Sequence, residues 1–145
     1  MGKLIGIARA VKVRGPLEEL SEVKVTEDGG LELDRRGHVK GAQVTILAKE
    51  AWEAACAETG EPLPWITRRA NLYVEGIELP RKAGARLRIG DVVLEVKQET
   101  DPCSRMEAAR PGLRAALEPD WRGGVRCDVL VGGILTPGVS VENLD

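Results

Sequence analysis

The alternation around Gly90-Asp91 constrains this chain more than any other feature. Leu87 and Ile89 alternate with Arg86 and Arg88 before the Gly-Asp step. Val92, Leu94 and Val96 alternate after it. A period of two places one set of side chains on one face of a pleated strand. A two-residue turn containing glycine folds two such strands together. The pattern predicts an antiparallel hairpin whose second strand runs to about Thr100. The same signature recurs in shorter pieces. Residues 3–13 read as an opening strand closed by Gly15-Pro16. Residues 22–27 and 31–34 flank Asp28-Gly29-Gly30 and predict a second hairpin. Residues 71–76, 124–131 and about 138–142 predict further strands, the last two joined through Gly132-Gly133 and Pro137-Gly138.

Helix is confined to few places. Residues 48–59 are rich in Ala and Glu and end at Gly60 and Pro62. Residues 104–118 have helical composition, interrupted by Pro111-Gly112. Residues 35–43 hold two glycines and four basic or potentially basic residues, and predict a loop. Residues 61–70, with two prolines, predict a connection. Seventeen glycines and eight prolines in 145 residues keep the elements short. The expected architecture is mainly β: a barrel or sandwich with two or three helices, as one domain over residues 1–145.

Charge and cysteine usage narrow the functions. A net charge of -2, from 21 basic and 23 acidic residues, gives no overall basic field for nucleic acid. Arg35-Arg36 and Arg68-Arg69 read first as solvated surface charge, and can also form a basic pocket. No apolar run approaches the roughly 20 residues of a membrane span, and no export signal is visible. Cys56, Cys103 and Cys127 are an odd count without metal-site spacing. Free thiols fit a reducing cytoplasm, the expected location.

The three cysteines differ in context. Cys56 shares a helix face with Trp52. Cys127 shares a strand face with Val125, Val129 and Val131. Both read as small buried apolar residues. Cys103 follows Asp101-Pro102 at the end of the long strand and opens a helical segment. A helix start and Arg105, two residues on, both favour the thiolate, the form that attacks or binds soft metals. Asp101 opposes them by repulsion. Cys103 is the candidate reactive residue, with a surface helix cap as the plain alternative. His38 is the sole histidine, in a loop, and no Ser-His-Asp arrangement, phosphate loop or metal cluster is legible.

Five segments in order carry a resemblance. They are Asp34-Arg-Arg-Gly-His38, then Arg69-Ala-Asn71-Leu-Tyr-Val-Glu-Gly76, then the Gly84–Val96 hairpin with Gly90-Asp91. Pro102-Cys103-x-x-Met106 follows, and Arg122-Gly-Gly-Val-Arg-Cys-Asp-Val-Leu-Val-Gly-Gly133 is last. The chain resembles the MOSC domain family, named for the C-terminal domain of molybdenum-cofactor sulfurases. It departs from the family pattern at Pro137-Gly138-Val139. The resemblance implies a β-barrel similar to the small barrel domain of pyruvate kinase, in a small stand-alone member. It implies that Cys103 carries sulfur as a persulfide or ligates molybdenum. His38, Arg69, Asn71 and Arg105 would then line a pocket for the molybdenum cofactor's anionic pterin phosphate. The implied activity is sulfur transfer or reduction of N-hydroxylated compounds, with a non-catalytic pterin-binding or delivery module as the alternative. A cysteine desulfurase or an electron-transfer protein would be the partner, and pyridoxal phosphate binding is a further family association.

Overall fold

The structure, a computed structural model, describes residues 1–144. Among the described residues there are eleven strands: β1 (Gly2–Arg9), β2 (Glu18–Glu19), β3 (Val23–Thr26), β4 (Gly30–Leu31), β5 (Val44–Ala48), β6 (Leu72–Glu75), β7 (Arg86–Ile89), β8 (Val92–Glu99), β9 (Val125–Val131), β10 (Gly133–Leu135) and β11 (Ser140–Asn143). The helices are α1 (Lys49–Thr59), α2 (Ser104–Ala109) and α3 (Leu113–Leu117).

The predicted hairpin forms as β7 and β8, with Ile89 paired to Val92. Gly90 takes a φ of +57°, which glycine adopts without a Cβ penalty. From this hairpin the sheet runs β11-β7-β8-β9-β5-β6-β1, and β1 pairs back to β11. Seven strands therefore close into a barrel, which removes their free edges. The architecture expected from the sequence is the one present. β3, β4 and β10 make a separate small sheet at one side.

All pairs in the ring are antiparallel except β5–β6. That parallel pair needs a crossover, and α1 supplies it. β5 is buried along its whole length because both of its faces are covered. Val44, Ile46 and Ala48 join the barrel core with Leu4, Leu72, Leu87, Leu94 and Val125. Leu47 points outward into a second cluster with Trp52, Tyr73, Met106, Leu113 and Leu117. The three helices thus pack on the outside of one barrel wall.

Several sequence expectations change. β1 stops at Arg9, and Val11 and Val13 lie exposed in the loop beyond it. The hairpin expected at 22–34 shrinks to a short pairing, because β4 has two residues and β10 covers the other side of β3. β10 lies where a plain turn was expected at Gly132-Gly133. Val131 does not share the buried face of Val125, Cys127 and Val129. Pairing steps once along β8, from Val93 to Leu94, while it steps twice along β9, from Val131 to Val129. Leu130 is the extra residue of a β-bulge, and the bulge turns Val131 outward.

Candidate functional site

Cys103 is placed by the two elements that meet at it. Before it, the last turn of β8 is fixed where Thr100 N–H donates to the Gly124 carbonyl at 2.9 Å. After it, α2 begins, with Met106 N–H donating to the Cys103 carbonyl at 3.0 Å. Met106 is fully buried in the helix cluster and anchors α2. Cys103 itself is exposed, at the N-cap, and its thiol makes no capping bond. α2 has only six residues, so it sums few peptide dipoles. The helix-end effect expected from the sequence is therefore small. Arginines supply the local field instead.

Arg68 bonds the backbone just before the thiol, and it is buried at 7% exposure rather than solvated. It sits in a short 3-10 turn between Trp65 and Arg68. Its Nε donates to the Gly123 carbonyl at 3.1 Å. Its Nη2 donates to Thr100 at 2.8 Å and to Asp101 at 3.3 Å. Burial pulls its proton affinity down, and the charge of Cys103 is the largest opposing influence. One buried guanidinium thus ties the segment leading into Cys103 to the segment that precedes β9. Nothing in the Arg68-Arg69 dipeptide distinguishes this residue from a surface charge.

Arg69 follows with a left-handed φ of +64°. Its Nη2 donates to the Gly15 carbonyl at 2.7 Å. Its proton affinity is lowered, first by burial and then by Arg35, Arg105 and Arg36. Arg35 and Arg36 are held by Asp34, a buried carboxylate. Asp34 accepts from Ala10 N–H at 3.1 Å and from Arg36 N–H at 3.2 Å, and Arg35 lies 3.7 Å away.

Asn71 also lies at this site, but its amide is largely committed. It accepts from Thr45 N–H at 3.0 Å and donates to the Ala8 carbonyl at 3.1 Å. It clips β1 and β5 to the start of β6, two residues after Arg69. His38 is elsewhere. It is exposed, with Nδ1 donating to the Asp28 carbonyl at 3.1 Å, and it does not line the cavity around Cys103. Cys56 and Cys127 are buried, as their sequence contexts indicate. Burial pushes the Cys127 thiol far up, keeping it protonated.

These residues surround one cavity of about 470 Å³. Seven arginines line it: Arg14, Arg35, Arg36, Arg68, Arg69, Arg105 and Arg126. The carboxylates in the lining are Asp34 and Asp101. Among the described residues, the guanidinium groups of Arg14, Arg36, Arg105 and Arg126 have neither a hydrogen-bond nor an ion-pair partner. Arg126 Nε and Thr100 Oγ1 are buried without a partner. Buried donors left unpaired cost stability unless something else satisfies them. So many like charges in one concavity call for an anion with several acceptor oxygens. Among the described residues no cluster of three or more His, Cys, Asp or Glu side chains is placed to hold a metal ion.

The sequence pattern of the MOSC domain family matches residues 34–142. The chain belongs to the MOSC domain family, a class known for its relation to the molybdenum cofactor. YuaD from Bacillus subtilis is similar in fold, with a TM-score of 0.78 at 18% identity over 97% of this chain and 94% of its own. YiiM from Escherichia coli gives a TM-score of 0.71 at 17% identity, over 99% of this chain and 70% of its own. YiiM from Geobacillus stearothermophilus gives 0.69 at 18% identity, over 99% and 73%. No curated protein matches the chain. No helix among the described residues is long and apolar enough to cross a membrane.

Proposed function

We propose that this domain binds a phosphate-bearing molybdenum cofactor in the arginine cavity and offers Cys103 to its metal. The observation that carries this reading is the exposed Cys103 thiol in a concavity lined by seven arginines. A phosphate with its acceptor oxygens fits partnerless guanidinium forks. Arg36, Arg105 and Arg126 are free to hold it, while Arg68 and Arg69 are partly committed to backbone carbonyls. The donor set also suits a metal that arrives with its own ligands. The protein offers one soft thiolate and no other clustered ligand, which a cofactor carrying its own ligands would complete. Such a cofactor would supply redox chemistry at molybdenum when bound, and reduction of N-hydroxylated compounds is the activity this reading favours. The chain's own part is to anchor the anion, to hold Cys103 through Arg68 and Met106, and to screen the charge of Asp101.

A second reading follows from the exposure of Cys103. An accessible thiol can also receive sulfur from a cysteine desulfurase and carry it as a persulfide. Seven arginines are more than a sulfur carrier alone requires, which ranks this second.

Metal analysis of protein from a cofactor-competent host separates these readings. Wild type is expected to carry more molybdenum than Cys103→Ser; equal molybdenum in both would overturn ligation by this thiol. Incubation with a cysteine desulfurase followed by mass spectrometry tests the carrier reading, which requires one added sulfur on Cys103.

A further inference from the structure

The mouth of the arginine cavity carries side chains that the fold itself does not use. Residues 10–17 follow β1, and residues 32–36 follow β4. From these loops Val11, Val13 and Leu33 project with 56%, 76% and 64% of their surface exposed. Val13 lines the cavity directly. Large aliphatic side chains left in water on adjacent loops are a usual mark of an interaction surface.

The loops are fastened, not loose. Besides the bond from Ala10 N–H to Asp34, Arg35 N–H donates to the Ala10 carbonyl at 2.8 Å. Arg9 Nη1 reaches the Glu32 carbonyl at 2.7 Å. Arg69 holds the far end of the first loop at Gly15. Arg14 and Leu33 both take left-handed backbone conformations, with φ of +61° and +65°. Leucine at such a position, and exposed, is disfavoured twice over, and strain of this kind gathers at sites of function.

Charge surrounds the apolar side chains. Arg14, Arg36 and Arg105 are exposed and without partners. Seven arginines against two aspartates give the cavity lining +5. With -2 on the whole chain, the remaining residues carry -7. The mouth is therefore the positive pole of an otherwise acidic molecule, which orients an acidic partner toward it.

We infer that this rim is the docking surface for a protein partner that enters the cavity mouth with a segment bearing both carboxylates and apolar side chains. The inference rests on the reading that Cys103 is the working thiol, and it concerns the domain with its cavity unfilled, when Arg36 and Arg105 are open to a partner's carboxylates and Cys103 can be reached. An anionic lipid surface would meet the same aliphatic and arginine side chains. A flat surface cannot enter a concavity to reach Cys103, whereas a protein segment can.

Short synthetic peptides test this directly. Each carries one cysteine activated as its mixed disulfide with thionitrobenzoate. The Cys103 thiolate attacks the peptide sulfur, a new disulfide forms, and thionitrobenzoate leaves with the electron pair of the broken bond and is read by absorbance. One peptide flanks the cysteine with aspartate and leucine, the second replaces aspartate by lysine, and the third replaces leucine by serine. The acidic-apolar peptide is expected to react about tenfold faster than the lysine peptide at low salt, a preference that salt reduces. It should also outpace the serine peptide by about threefold, and Val11→Ser with Leu33→Asn should erase that second margin alone. Neither substituted residue lines the cavity, and asparagine tolerates the left-handed conformation. Equal rates for all three peptides would overturn the inference. So would unchanged peptide selectivity in the rim variant, or rim-dependent cosedimentation with phosphatidylglycerol vesicles without peptide selectivity. Iodoacetamide alkylation of Cys103 runs alongside. Normal alkylation with unselective peptides sinks only the docking surface, whereas an inert Cys103 sinks the reading beneath it.

Discussion

Arg68 and Gly123 are matched in space: the guanidinium Nε donates to the Gly123 carbonyl at 3.1 Å, and a Cβ on residue 123 would stand 2.9 Å from Nη2 of the same guanidinium. That Cβ would also stand 2.6 Å from the Thr100 carbonyl oxygen. The glycine is therefore required by close approach, at the point where the segment before β9 meets the segment before Cys103. Gly123→Ala should destabilise the fold by about 1–3 kcal/mol, since the Thr100 carbonyl is backbone and the Arg68 guanidinium is tied by its own hydrogen bonds to Gly123, Thr100 and Asp101. Urea unfolding measures this, and wild-type stability in the variant would contradict the account.

Removing Arg68 should cost more than removing an exposed arginine. Arg68→Met fills much of the same volume but leaves the carbonyls of Gly123, Thr100 and Asp101 without this donor in a buried place. A loss of about 3 kcal/mol is expected, against less than about 0.5 kcal/mol for exposed Arg114→Met. Thermal unfolding of both variants makes the comparison.

Thiol accessibility should separate the cysteines sharply. Cys103 is exposed, while Cys56 and Cys127 are buried in different clusters. An aromatic disulfide reagent should titrate one thiol rapidly in the native protein and three in denaturant. Peptide mapping should place the fast label on Cys103. A first label on Cys56 or Cys127 would contradict the assignment.

Alkaline stability should fall for a reason internal to the barrel. Burial raises the Cys127 thiol above its ordinary value of about 9, so the folded state holds a proton that the unfolded chain releases. Stability from this group is full below pH 9 and is lost as pH rises above it, by about 1.4 kcal/mol per pH unit for one proton. Tyr73 is raised from 10 to about 12, chiefly by burial, and acts in the same direction above pH 10. Denaturation between pH 8 and 10 should show the decline in wild type and not in Cys127→Ala.

The parts of this protein most legible in its sequence are those set by local pattern. The β7–β8 hairpin follows from alternation around Gly90-Asp91, and α1 from its Ala-Glu composition. Cys103 stands out because a proline and a strand end precede it, and the five-segment order points to the family. Other features depend on tertiary contacts that leave no local trace. Arg68 reads as surface charge beside Arg69, yet the 3-10 turn directs it inward. The bulge at Leu130 arises from pairing with β8, so Val131 keeps its alternating position in sequence while changing faces. β10 is too short to announce itself and exists because β3 offers it a partner. Asn71 and His38 share a family pattern with Arg69, but the fold uses Asn71 to join strands and leaves His38 on the surface. The convergence of seven arginines from separated segments is a property of the closed barrel, and net charge hides it.

In the function proposed above, the arginine cavity holds an anionic pterin and Cys103 addresses its metal. The most direct measurement is pterin and molybdenum content in protein from a cofactor-competent host, for wild type, Cys103→Ser and the double variant Arg36→Glu with Arg105→Glu. Both arginines line the cavity without partners, so charge reversal leaves the core intact. Wild type should carry both pterin and molybdenum, Cys103→Ser should keep pterin with reduced molybdenum, and the charge-reversed variant should lose both. Pterin retained at wild-type levels after charge reversal, or absent from wild type itself, would contradict the account.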